Sequence, residues 1–264
     1  MSQFQTTILT AALRSYDKYA IVFAASAMHS TRDTRIEIIL SDKARFLAEN
    51  KAALTILANY FGEERLCLSQ IPELLSKAKM PPHSVRFLFE PSVRTDYVYI
   101  TDVDFIMLEQ DFLELYLKDM DRTGFDFSNV VRHRTKRLTG LHFTKWDAYY
   151  PVDSAFVPLA ATHGDENLLY KIVESRAVVD PKLSTFRVHP GLHISPNAQR
   201  DFREYIDAAV AFFNSPVWQE ISPLVAPEIH DAITSYYKAV AFGALRPTSR
   251  AGFGSEQDFL ERRP

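Results

Sequence analysis

Residues 97–108 read YVYITDVDFIML, and this stretch decides the fold and carries the chemistry. Its first five residues, 97–101 (YVYIT), are aromatic or β-branched and polar only at the end, which is typical of a central strand buried on both faces of a sheet. Asp102 and Asp104 follow directly. Ionised carboxylates are costly to bury unless they are paired or bind a cation, and ligand sites in α/β sheets lie at the carboxyl ends of strands. The pattern therefore predicts a site for a divalent metal, Mn or Mg, shared with substrate phosphates.

The segments before this strand alternate between strand-like and helix-like patterns. Strands are predicted at residues 5–12 (QTTILTAA), 35–40 and 65–69. Helical patterns at residues 15–28 and 43–61 separate them. This alternation predicts an α/β fold with a mostly parallel central sheet flanked by helices.

Composition excludes several classes of protein. The net charge is −3, from 30 Lys+Arg and 33 Asp+Glu, so a basic nucleic-acid-binding face is not expected. The single cysteine, Cys67, excludes a disulfide framework and indicates a reducing compartment. No secretory signal or membrane span is predicted, so we expect a cytoplasmic protein that can still associate peripherally with a membrane.

Residues 84–108, SVRFLFEPSVRTDYVYITDVDFIML, resemble the donor-binding region of GT-A glycosyltransferases. The similarity is closest to the family 8 type of bacterial surface-polysaccharide assembly. The shared order is Arg86, the FLF run after it, the strand at Tyr97 and the pair Asp102 and Asp104. The resemblance implies a GT-A-like (Rossmann-like) fold and a nucleotide-sugar donor such as a UDP-sugar. It also implies transfer of the sugar to a glycan or lipid-linked acceptor.

The resemblance also implies a division of the chain. We predict one catalytic domain over residues 1–246. Residues 1–108 would form the nucleotide-sugar-binding half, and residues 109–246 an acceptor-binding half with a helical C-terminal part. Residues 247–264 are rich in Gly, Ser, Arg and Glu and are predicted to be a mobile tail.

On the donor side, the resemblance assigns the metal and its diphosphate to Asp102 and Asp104, with Val103 between them. Arg86 would contact the donor; its alternative is a surface ion pair with Glu90 or Asp96. The end of the first strand, Thr10, Ala11 and Ala12, would lie against the nucleoside base and ribose. Asp42, after the second strand, would also contact the base or ribose. The alternative for Asp42 is a helix cap.

The family usually supplies a third metal ligand, a histidine next to a glycine near the end of the catalytic domain. Residues 188–195 read VHPGLHIS, so both His189 and His193 qualify, and we favour His193. In TGLHF, residues 139–143, the resemblance implies that Gly140 lets the backbone approach the sugar. His142 is a further candidate catalytic residue.

The resemblance implies a catalytic or sugar-contacting role for the acidic pair Asp165 and Glu166 at a predicted helix start. The alternative is that Asp165 only caps the helix. Residues 132–137 (RHRTKR) are the densest basic run in the chain. They are either a solvated loop or an anion-recognition segment for a diphosphate lipid, a phosphorylated core sugar or the donor pyrophosphate.

Two other functions fit parts of the pattern. Metal-dependent nucleotidyl- and phosphotransferases also place paired aspartates at strand ends, although no phosphate-binding glycine loop is present and Gly is only 8 of 264. A non-catalytic sugar-binding module needs no metal–diphosphate site, so the Asp pair argues against it.

Overall fold

The computed structural model describes residues 4–177, 179, 190–194 and 205–241. Within them, the strands are β1 (Thr6–Ala12), β2 (Thr34–Leu40), β3 (Leu66–Gln70), β4 (Tyr97–Ile100), β5 (Phe105–Met107), β6 (Phe127–Ser128), β7 (Val131–Arg132), β8 (Arg137–Leu138), β9 (His142–Lys145) and β10 (Gly191–His193). His189 and the predicted tail at residues 247–264 lie outside the described residues.

The helices of the same residues lie mostly between these strands and in the C-terminal part. They are α1 (Ala20–Ser30), α2 (Lys43–Glu49), α3 (Lys51–Phe61), α4 (Glu73–Lys77), α5 (Val85–Leu88), α6 (Phe112–Thr123), α7 (Trp146–Tyr149), α8 (Phe156–Ala160), α9 (Asp165–Glu174), α10 (Ile206–Phe213), α11 (Pro216–Ile221) and α12 (Pro227–Ala241). Among the helices described, none is long and apolar enough to cross a bilayer.

The main sheet has the order β3-β2-β1-β4-β9-β6. Strands β1 to β4 pair in parallel, whereas β9 runs antiparallel to both β4 and β6. His142 pairs with Ile100, and Ser128 pairs with Phe143. The end of β4, the start of β9 and the end of β6 therefore meet at one edge of the sheet, which we call the carboxyl edge. The mixed α/β architecture with a mostly parallel sheet is confirmed.

Strand β4 is buried on both faces, as its sequence predicts. Val98, Tyr99 and Ile100 are fully buried. Tyr99 joins one hydrophobic cluster with Ile8 of β1, and Val98 and Ile100 join the cluster on the other face with Leu9. Since successive side chains of a strand point to opposite faces, an uninterrupted apolar strand needs both layers of helices.

The helix predicted over residues 43–61 is divided into α2 and α3. The division lies at Asn50, whose backbone leaves the helical region (φ −109°, ψ 16°). The Asn50 side-chain amide donates to the Phe46 carbonyl at 3.0 Å. Such local side-chain bonds compete with the helical backbone, which explains a break that apolar periodicity does not reveal.

Candidate active site

The loop from β4 to β5 carries the Asp pair at the carboxyl edge. Strand β1 holds the start of this loop: the Thr101 amide donates to the Leu9 carbonyl at 3.0 Å, and the Thr10 hydroxyl donates to the Thr101 carbonyl at 2.9 Å. Burial is the main cause that raises the pKa of Asp104 above its usual value, and repulsion from the nearby Asp102 carboxylate is the second. The fold thus holds two carboxylates close together at some electrostatic cost.

Other residues predicted on the donor side are buried within or near this edge. Ala12 is fully buried and Ala11 nearly so, as is Val103 between the two aspartates. Their side chains pack in the core, so any contact with a nucleoside would fall to the backbone of β1. That role stays a prediction.

Arg86 forms an ion pair with Asp102 of the Asp pair. Its Nη2 lies 2.7 Å from Asp102 Oδ1 and 3.5 Å from Asp165 Oδ2, and the residue is only 3 % exposed. Among the described side chains, Arg86 pairs with these two carboxylates and not with Glu90 or Asp96. Its Nε is buried without a hydrogen-bond partner in the described structure, so the guanidinium keeps an unused donor.

Gly140 lies against this ion pair, where a side chain would push the Arg86 guanidinium aside. A Cβ at this position would lie 2.8 Å from Arg86 Nη2 and 3.4 Å from Asp102 Oδ2. Asn129, a residue that the sequence did not single out, fixes the backbone just before the glycine. Its Oδ1 accepts from the Thr139 amide at 2.8 Å, and its amide donates to the Thr139 carbonyl at 3.0 Å.

His193 reaches the Asp pair through the small antiparallel sheet of β10 and β5. It pairs with Phe105, the residue directly after Asp104. Its Nε2 lies 3.4 Å from Asp102 Oδ2, and the Ile194 amide donates to the Asp104 carbonyl at 2.8 Å. The structure therefore brings the predicted third ligand beside Asp102, from a position 91 residues further along the chain.

Asp165 and Glu166 begin α9 but point to different partners. The N-cap of α9 is Gly164, so Asp165 is not the cap residue. The Asp165 carboxylate contacts Arg86 and lies 3.8 Å from His83 Nε2. The Glu166 carboxylate instead contacts Arg132 and Arg137, at 3.2 Å and 3.5 Å. Only Asp165 joins the group around Asp102.

Asp42 has the structural role that the sequence left as an alternative. Its backbone is extended, and Oδ1 accepts a hydrogen bond from the Arg45 amide at 3.0 Å. It is thus the N-cap of α2, a contribution of about 1 kcal/mol in typical helices. A contact with the nucleoside stays a prediction.

His142 lies in the core behind the site. It is fully buried, and its Nδ1 lies 3.1 Å from the Asn129 amide. Its ring packs against Phe127 and Tyr149, at centroid distances of 5.6 Å and 5.4 Å. Nε2 has no hydrogen-bond partner in the described structure. Because the imidazole has no exposed surface, a substrate could not reach it in this conformation.

The buried His142 predicts that stability falls in acid. Burial lowers the pKa of His142 to about 3. The pKa of a histidine in an unfolded chain is about 6.5. Above this value the imidazole is neutral in both states. At lower pH, His142 is protonated in the unfolded chain but stays neutral in the native state. The free energy of unfolding should then drop by up to about 1.4 kcal/mol per pH unit, until the pH nears the native pKa.

Urea denaturation of the protein and of His142→Gln at pH 7, 6 and 5 measures this effect. The free energy of unfolding of the variant should decline less steeply, because the remaining groups titrate alike in both proteins. Parallel pH profiles would contradict a neutral, buried His142.

The residue types at this edge fit a divalent metal, although they are not gathered into a ready site. Within the described part of the chain, no three His, Cys, Asp or Glu side chains form a group that could hold a metal ion. Two carboxylates and an imidazole are nevertheless competent ligands for Mn. Asp102, Asp104 and His193 therefore remain the predicted ligands.

Neither family models nor curated proteins match the chain. Among solved structures, it is similar to the mannosyltransferase PcManGT from Pyrobaculum calidifontis in complex with GDP-Man and Mn²⁺ (TM-score 0.46, 14 % identity, 99 % of this chain and 79 % of the other). It is also similar to the glycosyltransferase GlyE of Streptococcus pneumoniae TIGR4 (0.47, 12 %, 94 % and 66 %). A third similar structure is residues 1–349 of S. aureus TarS in complex with UDP (0.42, 15 %, 93 % and 76 %).

Proposed function

We propose that this protein is a metal-dependent glycosyltransferase that moves a sugar from a nucleotide-sugar donor to a glycan or lipid-linked acceptor. The observation that carries the proposal is the convergence of Arg86, Asp102, Asp165 and His193 at the carboxyl edge of the sheet. The resemblance of residues 84–108 to GT-A enzymes of the family 8 type supports the same reading. A role in cell-surface polysaccharide biosynthesis is part of this proposal.

Each residue of the group has a stated part in the reaction. Asp102, Asp104 and His193 would hold a divalent metal, which supplies Lewis-acid stabilisation of the departing nucleoside diphosphate. Arg86 is held between Asp102 and Asp165, so its position is fixed before any donor arrives. A pre-organised guanidinium can bind the donor diphosphate or sugar without a further loss of side-chain conformational entropy. Asp165 contacts the same Nη2 of Arg86 as Asp102 does, and it would orient a sugar hydroxyl there.

The experiment that tests the proposal is a screen of nucleotide sugars by thermal shift, with and without Mn. A true donor present at about 100 times its dissociation constant should stabilise the protein by about 2.7 kcal/mol. We expect that stabilisation only in the presence of the metal. No shift with any UDP- or GDP-sugar in the presence of Mn would contradict the proposal.

Analysis of the reaction products separates this function from the phosphotransferase alternative. Cleavage of the glycosidic bond yields the nucleoside diphosphate and a free or transferred sugar. Cleavage between the phosphates would instead yield the nucleoside monophosphate and a sugar phosphate. A sugar-binding module would yield neither set of products.

A further inference from the structure

The connection from β6 to β9 brings the basic run to the carboxyl edge. Strand β6 ends at this edge and β9 begins there, so whatever connects them emerges beside Asp102. The connection folds as the antiparallel pair of β7 and β8, with a short 3-10 helix at His133–Thr135 between them. We call residues 131–138 the basic hairpin.

The basic hairpin is fixed to α9 and is not a loosely solvated loop. The Asn167 amide donates to the carbonyls of Thr135 and Lys136, at 2.9 Å each. Lys136 has a left-handed backbone (φ 49°), which closes the turn tightly. Glu166 holds Arg132 and Arg137 from the same helix. Side chains presented by an anchored turn lose less entropy when they bind a ligand.

Positive charge exceeds negative charge at this hairpin. Three of its four Lys and Arg residues form ion pairs among the described residues, and they share only two carboxylates, Glu166 and Glu174. Arg134 is exposed and forms no ion pair within the described structure. A guanidinium carries five N–H donors in a planar fork that matches the geometry of phosphate. Donors that Glu166 does not use remain available to an anion.

The basic hairpin also lies next to the candidate active site. Glu166 is adjacent in sequence to Asp165, which contacts Arg86. Arg137 is three residues before Gly140, and three residues span at most about 11 Å. In the sheet order, β9 and β6 lie on one side of β4, and β1 and β2 lie on the other. The hairpin is therefore on the side opposite the strands to which the nucleoside is assigned.

We propose that the basic hairpin binds a phosphate group on the acceptor. The placement opposite β1 and β2 favours the acceptor over the donor pyrophosphate, which would lie at Asp102, Asp104 and Arg86. The assignment to an acceptor rests on the proposed function, whereas the anion site itself does not. The same chemistry fits a phosphorylated glycan and a sugar carried on a lipid phosphate.

The test compares two charge reversals in the full-length protein by calorimetric titration with inorganic phosphate in the presence of EDTA. Arg134→Glu should weaken phosphate binding at least about tenfold, since a hydrogen bond to a charged group is lost and repulsion replaces it. Arg32→Glu is the matched control: Arg32 is also exposed, but it precedes β2 at the opposite edge of the sheet. The affinity of the Arg32→Glu variant for phosphate should differ from that of the wild type by less than about twofold.

Two further arms identify the source of the phosphate: one uses a hexose 6-phosphate for the phosphorylated glycan, and the other uses vesicles that contain a polyprenyl phosphate. Binding that Arg134→Glu weakens in either arm supports the proposal and names the acceptor class. Equal phosphate affinities of the Arg134→Glu and Arg32→Glu variants would overturn it. If the wild-type protein binds phosphate in an Arg134-dependent way but cleaves no nucleotide sugar, the anion site stands and the proposed function fails.

Discussion

Replacing Asp102 or Asp104 with asparagine is expected to reduce sugar transfer by about 10²- to 10³-fold and to leave the fold intact. An amide oxygen is a weaker ligand for a hard cation than a carboxylate, so each variant should lose the metal along with the activity. The measurements are the transfer rate with saturating nucleotide sugar and the dissociation constant of Mn. Full activity in either variant after chelation and remetallation would exclude the metal assignment.

Asp126→Asn provides the matched control for these substitutions. Asp126 forms an ion pair with Lys145 at 2.6 Å, and Lys145 pairs with Tyr97 at the opposite edge of the sheet. The control removes the same charge and also breaks an ion pair, but far from the predicted metal ligands. Its transfer rate should stay within about twofold of the wild type, because exposed ion pairs contribute little.

The two aspartate variants should differ from each other in stability. The raised pKa of Asp104 means that the folded protein disfavours its ionised carboxyl group. Asp104→Asn removes that cost and is expected to leave the metal-free protein as stable as the wild type or more stable. Asp102→Asn instead removes the charged partner of Arg86 at 2.7 Å, so the free energy of unfolding should fall. Loss of activity with retained stability in Asp104→Asn would separate function from folding.

The sequence predicts the centre of the sheet well because the signal is local. An apolar run such as Tyr97–Ile100 is stable only when it is buried on both faces, and the two aspartates that follow Thr101 must lie near the strand end. The division of the helix at Asn50 and the capping of α2 by Asp42 are also local, but each depends on one side-chain hydrogen bond. Apolar periodicity does not distinguish an asparagine that breaks a helix from one that lies within it.

The geometry around the Asp pair is less predictable because it depends on distant segments. The Asn129 side chain fixes Thr139 through hydrogen bonds to the Thr139 backbone, and nothing in the sequence around Asn129 indicates this role. The burial of His142 follows from the direction in which β9 enters the sheet. The basic hairpin is visible as a run of charge, but its anchoring by Asn167 and Glu166 requires the tertiary structure.

The second large effect is expected from Gly191→Ala, which acts on His193 without changing it. A Cβ at Gly191 would lie 1.8 Å from the Ile106 carbonyl oxygen and 3.0 Å from Met107 Cα. Both atoms belong to the backbone of β5, so β10 must move away as a unit. Overpacking of this kind typically costs about 1–3 kcal/mol. A shift of about 1 Å in a positioned group can cost about 100-fold in rate, so we expect that loss in sugar transfer.

Comparison with His193→Ala gives this prediction its mechanism. If Gly191 serves to place the imidazole beside Asp102, both variants should weaken Mn binding, and the double variant should be little worse than His193→Ala alone. Independent, additive losses would mean that β10 supports the site in another way.

Gly140→Ala serves as the control for the effect of the added methyl group, because its Cβ would meet the end of the Arg86 side chain at 2.8 Å and not the backbone. A side chain can move aside where a paired strand cannot, so Gly191→Ala should lose more free energy of unfolding than Gly140→Ala.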